Sequence, residues 1–89
     1  MEKKYVLNDP LGFHARPAAI VVGVFAKAAS TVSITAKGKT VDGKSILQVL
    51  SLGVKGGDEV SITIEGEDAE STFSQVEAKA SESNPPLFR

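Results

Sequence analysis

The spacing of hydrophobic residues predicts two long amphipathic helices and one short helix. Intervals of three and four recur from Arg16 to about Ala28, and again from Ala69 to Ala80, where Glu67 or Asp68 can cap the helix start. The segment 46–50 has room for only one or two helical turns. The apolar stripes consist of Ala18, Val21, Val22, Phe25 and Ala28 in the first long helix, and of Ala69, Phe73, Val76 and Ala80 in the last.

Strict alternation of apolar and polar residues predicts strands that bury one face. It is clearest at 32–36 and 60–65, and the tight turn Lys37-Gly38 joins the first of these to a second strand at 39–42. A further β-rich run occupies 3–7. The predicted order is therefore βαββαβα, which favours an antiparallel α+β sandwich whose helices cover one face of the sheet.

Length and composition describe one small globular domain. The 89 residues leave no room for a second domain, and we expect residues 1–81 to form the domain and residues 82–89, which include Pro85 and Pro86, to be a loose, flexible tail. No segment is apolar enough to cross a bilayer and no secretion signal stands at the start, so a cytoplasmic location is the expectation. A net charge of −1 argues against nucleic-acid binding, and the absence of cysteine excludes disulfides.

The candidate chemistry lies where the first long helix begins. The only histidine, His14, stands there with Arg16 and Pro17 in the run Gly-Phe-His-Ala-Arg-Pro-Ala. The first N–H groups of a helix lack partners and attract anions, proline suits the first turn, and a guanidinium can grip phosphoryl oxygens with two hydrogen bonds. A neutral imidazole can accept and release a phosphoryl group. The alternative from the residues alone is a histidine that only caps a helix or lies on the surface.

Two motifs resemble the histidine-containing phosphocarrier (HPr) family of the bacterial sugar phosphotransferase system. The first is the His14 motif, and the second is Gly43-Lys44-Ser45-Ile46-Leu47-Gln48-Val49-Leu50-Ser51-Leu52-Gly53, which follows in the same order and at the same spacing. The resemblance extends from about Lys3 to about Ser81. It implies an open-faced β-sandwich of four antiparallel strands with three helices on one face.

The resemblance also implies the role of each residue in the first motif. His14 would accept a phosphoryl group on its pros nitrogen (Nδ1) from phosphorylated enzyme I and pass it to a sugar-specific enzyme IIA, while Arg16 would stabilise that group. The protein would be a phosphoryl relay rather than a stand-alone enzyme, with neither metal nor cofactor. A monomer suits a carrier that must expose His14 to two partners in turn.

In some members of the family a serine at the position of Ser45 is phosphorylated by an ATP-dependent kinase and the carrier then acts with a transcriptional regulator. Ser45 is therefore a candidate regulatory phosphoserine, although serine also caps helices well and the short helix needs a cap in either case. The resemblance further implies a docking surface for partners. Its candidate residues are Phe13, Lys27, Leu47 and Leu50, for the apolar members of which core packing is the alternative.

Two other functions compete with sugar phosphotransfer. One is a regulatory binding module of the nitrogen-regulatory or transcriptional branch, controlled through Ser45. The other is a small interaction domain in which His14 is a bystander. Departures from the usual family pattern, such as Phe13 in place of an aliphatic residue and Gly23 inside the first helix, leave His14 and Arg16 untouched.

Overall fold

The computed structural model describes residues 1–89 and confirms the predicted order βαββαβα. The elements are β1 (Glu2–Val6), α1 (Ala15–Phe25), β2 (Thr31–Ala36), β3 (Lys39–Asp42), α2 (Ile46–Leu50), β4 (Glu59–Glu65) and α3 (Ala69–Glu82). The first long helix ends at Phe25, about one turn before the end that its apolar spacing predicts, and Ala26 caps it. No helix has the length and apolar character that crossing a membrane requires.

The four strands form one antiparallel sheet in the order β1-β4-β2-β3. In its register Ile34 of β2 lies between Val41 of β3 and Ile62 of β4, and all three side chains are buried. Their neighbours Ser33, Thr35, Ser61 and Thr63 are half-exposed on the other face. The alternation predicted from the sequence thus gives an open-faced sandwich with one covered face, as the resemblance implies.

The helices cover the buried face with the apolar stripes that the sequence predicts. Phe25 of α1 and Phe73 of α3 are fully buried, and α1 packs against both α3 and α2. Burying an aromatic side chain of this size stabilises the fold by about 1.5–3 kcal/mol. The core therefore fixes the position of α1, whose first residues carry the candidate chemistry.

Asp68 stands at the start of α3, but its side chain makes no cap hydrogen bond there. Its carboxylate instead accepts hydrogen bonds from the N–H groups of Ala29 and Ser30 and from the Ser30 hydroxyl. These bonds lower the pKa of Asp68, the Ser30 hydroxyl contributing most. The predicted cap is thus a link between the start of α3 and the loop that follows α1.

The segment after α3 packs differently from the loose tail that the sequence predicts. Leu87 is only 1% exposed, and its N–H donates to the Ala80 carbonyl at 3.0 Å. The ring of Phe88 stacks on Tyr5 with 4.5 Å between the ring centres. The prolines end the helix as expected, but two apolar side chains follow them, and burying those side chains brings the segment back onto the sheet. Asn8 also holds this segment in place, because its N–H donates to the Leu87 carbonyl at 2.8 Å.

Candidate functional site

The loop before α1 is held against a second loop by close backbone packing. Gly12 has a φ of +66°, and a Cβ atom there would overlap the Val54 carbonyl oxygen. The same carbonyl accepts a hydrogen bond from the N–H of Phe13 at 3.3 Å, and the N–H of Gly56 donates to the Pro10 carbonyl at 3.3 Å. Glycine is required at position 12 for both the backbone angle and the space, and this fit sets where α1 begins.

His14 is the N-cap residue of α1, but its side chain caps nothing. With φ −84° and ψ −175° it has extended backbone, its carbonyl accepts the N–H of Ala18 at 3.1 Å, and its side chain makes no cap hydrogen bond. The ring points back along the chain instead, where Nε2 lies 3.1 Å from Oδ2 of Asp9. The His14 side chain is 35% exposed, and Nδ1 has no hydrogen-bond partner within the protein.

The first turn of α1 leaves its donors unused. The N–H groups of Ala15 and Arg16 meet no acceptor within the protein, and Pro17 has no N–H to satisfy. The Arg16 side chain is exposed and has no ion-pair partner. Open amides, the positive end of the helix dipole and a free guanidinium close to a partly exposed imidazole form a site suited to a phosphoryl group.

Asp9 is the residue of this site that the sequence pattern did not reveal. Its Oδ1 accepts the N–H of Leu11 at 2.9 Å while its Oδ2 faces His14, and only 15% of its side chain is exposed. The Leu11 N–H and, after it, the hydrogen bond with His14 hold the pKa of Asp9 below its ordinary value. Asp9 and His14 form a pair without the third ligand that a metal site of this type needs.

The run Asn8-Asp9-Pro10-Leu11-Gly12 contains several turn-forming residues, and this pattern predicts only a turn at Asp9. That reading is accurate for Oδ1, which closes the turn on Leu11. The contact of Oδ2 with His14 depends on how the loop folds back over five residues. No spacing rule predicts such a contact in a loop. The sequence does show a carboxylate five residues before the only histidine, and this could have marked Asp9 as a candidate partner.

Ser45 lies at the start of α2 as predicted and caps it. Its hydroxyl oxygen accepts the N–H of Gln48 at 3.4 Å, a long hydrogen bond, and the side chain of Gln48 accepts the N–H of Asp42 at 2.9 Å. Ser45 is half-buried. The capping role is confirmed, and phosphorylation of Ser45 stays a prediction.

The structure separates the four candidate docking residues. Phe13 is only 5% exposed and belongs to the hydrophobic core, so the prediction that it offers a docking surface is wrong. Its N–H donates to the Val54 carbonyl, and its apolar ring is buried in the core, where burial is favourable. Leu47 is 77% exposed on α2, Lys27 is exposed after α1, and Leu50 is half-buried against the core.

Comparisons with known proteins show the same fold and a family for this chain. A family model described as the PTS HPr component phosphorylation site matches residues 1–81. A phosphocarrier protein HPr from Mycoplasma pneumoniae is 39% identical over 75 residues, which cover 82% of this chain and 84% of that protein. The solved structure of a mycoplasma histidine-containing phosphocarrier protein superposes with a TM-score of 0.91 at 27% identity, covering 100% of this chain and 99% of that one.

A further solved structure is also similar to this chain. The solution structure of Crh, the catabolite repression HPr of Bacillus subtilis, superposes with a TM-score of 0.64 at 32% identity and covers 93% of this chain and 99% of that one.

Proposed function

Because this chain belongs to the HPr family of the bacterial phosphotransferase system, we propose that it is a phosphocarrier that takes a phosphoryl group on His14 from phosphorylated enzyme I. It then passes the group to a sugar-specific enzyme IIA. These partners would place the protein in the cytoplasm, where it would act as a monomer.

The observation that carries this proposal is the open start of α1. His14 caps the helix by position yet leaves the N–H groups of Ala15 and Arg16 without acceptors. A phosphoryl group on the exposed imidazole could accept hydrogen bonds from these amides and from the Arg16 side chain. Arg16 would then stabilise the transferred group without forming a covalent bond to it.

The partial exposure of His14 suits a carrier, which must release the phosphoryl group again. A relay must release the phosphoryl group to the next protein with little loss of transfer potential, so binding the phosphorylated state too tightly would slow the second step. The His14 side chain is 35% exposed, and its Nδ1 has no hydrogen-bond partner within the protein. Moderate stabilisation at an open surface meets that requirement, because water screens the charges that surround the group.

Exposure also supports a docking role for two of the candidate residues, Leu47 and Lys27. Leu47 is an exposed leucine on α2, and α2 packs against α1. An exposed apolar side chain on the helix that packs against α1, together with an exposed lysine just after α1, suits recognition of a partner that has an apolar patch with an acidic rim. We propose Leu47 and Lys27 as docking residues, with the half-buried Leu50 supporting them.

Incubation with enzyme I, Mg²⁺ and labelled phosphoenolpyruvate tests the carrier role. We expect wild-type protein to acquire an acid-labile, alkali-stable phosphate and His14→Ala to acquire none. An enzyme I that labels another HPr but leaves this wild type unlabelled would contradict the proposal. If His14→Ala kept every partner-dependent activity, His14 would instead be the bystander of a small interaction domain.

Regulation through Ser45 is a second candidate function, favoured by the likeness to a catabolite repression HPr. Ser45 is half-buried at the start of α2. A phosphate there would add about −1.5 to −2 charges two residues before the exposed Leu47. A serine kinase and a transcriptional regulator would be the partners. Incubation with ATP and an HPr serine kinase should label wild type and spare Ser45→Ala, and absence of label on wild type would remove this candidate.

A further inference from the structure

Asp9 is fixed in place before it meets His14. Its Oδ1 is held by the N–H of Leu11 at 2.9 Å, so the carboxylate cannot rotate freely, and Oδ2 is left 3.1 Å from Nε2 of His14. The Asp9 carbonyl is also held, because it accepts the N–H of Gly12 at 2.8 Å and because a Cβ atom on Gly56 would lie 2.6 Å from the same oxygen. The carboxylate is therefore preorganised toward one particular ring nitrogen.

The chemistry of a carboxylate decides which way the hydrogen bond runs. An ionised aspartate can only accept, and the lowered pKa of Asp9 keeps it ionised at neutral pH. Nε2 of His14 must then be the donor. A neutral imidazole carries one proton, so a proton on Nε2 leaves the lone pair on Nδ1, the nitrogen without a partner in the protein.

We propose that Asp9 is a positioning residue that holds His14 in the tautomer with the proton on Nε2 and thereby makes Nδ1 the phosphoryl acceptor. This inference rests on the proposed phosphocarrier function. It adds the residue that would select Nδ1, the nitrogen that the family resemblance implies, and it states what happens to the proton on Nε2.

The proton stays on Nε2 during both steps of the transfer. The Nδ1 lone pair forms a bond to phosphorus while the bond from phosphorus to the donor breaks, and its electron pair leaves with the donor. The phosphorylated ring then carries a positive charge that faces Oδ2 of Asp9. In the second step the acceptor attacks phosphorus and the Nδ1–P bond breaks. Its electron pair returns to Nδ1, so the ring departs as neutral imidazole rather than as an anion.

The variant Asp9→Asn separates positioning from structural support. The asparagine Oδ1 can still accept from the Leu11 N–H, which directs its NH₂ group toward Nε2 of His14. The NH₂ group donates, so Nε2 must become the acceptor and the ring proton moves to Nδ1. Asp9→Ala removes both groups and leaves the tautomer to solvent, at the cost of the Leu11 bond.

Nitrogen-15 NMR of the neutral ring gives a direct readout, because His14 is the only histidine. We expect a protonated Nε2 and an unprotonated Nδ1 in wild type, and the reverse pattern in Asp9→Asn. Asp42→Asn is the matched control, since Asp42 also accepts from the N–H two residues ahead, that of Lys44, at 2.9 Å and faces no histidine. An unchanged pattern in Asp9→Asn would overturn the proposal.

Single-turnover phosphorylation by phosphorylated enzyme I supplies the kinetic test. We expect Asp9→Asn to react about tenfold more slowly than wild type or Asp42→Asn, with enzyme I affinity unchanged, and Asp9→Ala to lie between them. Purely structural support predicts the opposite order, since alanine is the more disruptive change, and that order would overturn the proposal. The tautomer measurement needs no donor, so it decides the role of Asp9 even if wild type accepts no phosphate and the proposed function fails.

Discussion

The starts of α1 and α2 use the same backbone position in opposite ways. At α2 the Ser45 hydroxyl accepts the Gln48 N–H, and the Gln48 side chain reaches back to the N–H of Asp42, so the start of the helix is closed upon itself. At α1 the cap residue His14 turns away to Asp9 and leaves the first amides open. One helix start stabilises the fold, and the other gives up that stabilisation and remains available to a ligand.

The largest expected effect breaks this comparison by removing the backbone that sets the start of α1. Gly12→Ala places a methyl group against the Val54 carbonyl and strains a φ of +66°, so we expect a loss of about 3 kcal/mol or more in the free energy of unfolding. Gly38→Ala is the control, because Gly38 has a φ of +76° but open space around it. It should lose only about 1–2 kcal/mol. Urea denaturation measures both, and equal losses would show that space at Gly12 is unimportant.

Exchange of the guanidinium sharpens the comparison at the open start. Arg16→Lys keeps the charge but loses the paired hydrogen bonds to a phosphoryl group, so phosphorylation of His14 should slow about tenfold, equivalent to about 1.4 kcal/mol. Arg89→Lys is the matched control, since Arg89 is the only other arginine. Single-turnover rates provide the measurement. A wild-type rate for Arg16→Lys would reduce Arg16 to a solvated surface charge.

Stability measurements on the two cap residues sharpen it further. Ser45→Ala should lower the free energy of unfolding by about 1 kcal/mol, because the Gln48 N–H loses its acceptor. His14→Ala should change it by less than about 0.5 kcal/mol, because the imidazole caps nothing and is partly exposed. Thermal unfolding of both variants measures the difference, and the reverse ranking would show that His14 is the structural cap.

The smallest expected effect is a pH dependence at the start of α1. The pKa of Asp9 is lowered by the Leu11 N–H and then by His14, so in the folded state it lies below the value of the unfolded chain. Such a group stabilises the fold above about pH 4, and that contribution disappears as the pH falls through the folded pKa. Wild type should therefore exceed Asp9→Asn in stability at pH 7, and the gap should close in strong acid. A constant gap would exclude the carboxylate charge as its source.

Most of the fold follows from short-range patterns in the sequence. The alternation through Val32, Ile34 and Ala36 predicts a buried strand face, and all three side chains are buried. Phe13 was misplaced because it lies between a turn and a helix, where no period shows which way a side chain points. The Asp68 carboxylate escaped prediction for a different reason, since its partners Ala29 and Ser30 lie far away along the chain.

In the candidate site, too, the sequence predicts some features and only the folded chain shows others. The motif predicts His14 and Arg16 as the reacting and stabilising groups because a histidine, an arginine and a proline stand together at a recognisable helix start. The contact of Asp9 with His14 depends on a loop folded against Val54 and Gly56, which only the assembled structure brings close. Sequence therefore predicts candidate groups for the chemistry, and the tertiary fold determines which nitrogen of His14 meets Asp9 and which has no partner within the protein.

The strand order determines when, during synthesis, the sheet and the loop around His14 can fold. Because Glu2 of β1 pairs with Thr63 of β4, the first strand remains unpaired until nearly the whole sheet has been translated. The loop that carries Asp9 and His14 likewise has nothing to rest on before Val54 and Gly56 have left the ribosome. A nascent chain therefore presents His14 before the loop around it can fold, and the contact of His14 with Asp9 forms only as the sheet closes.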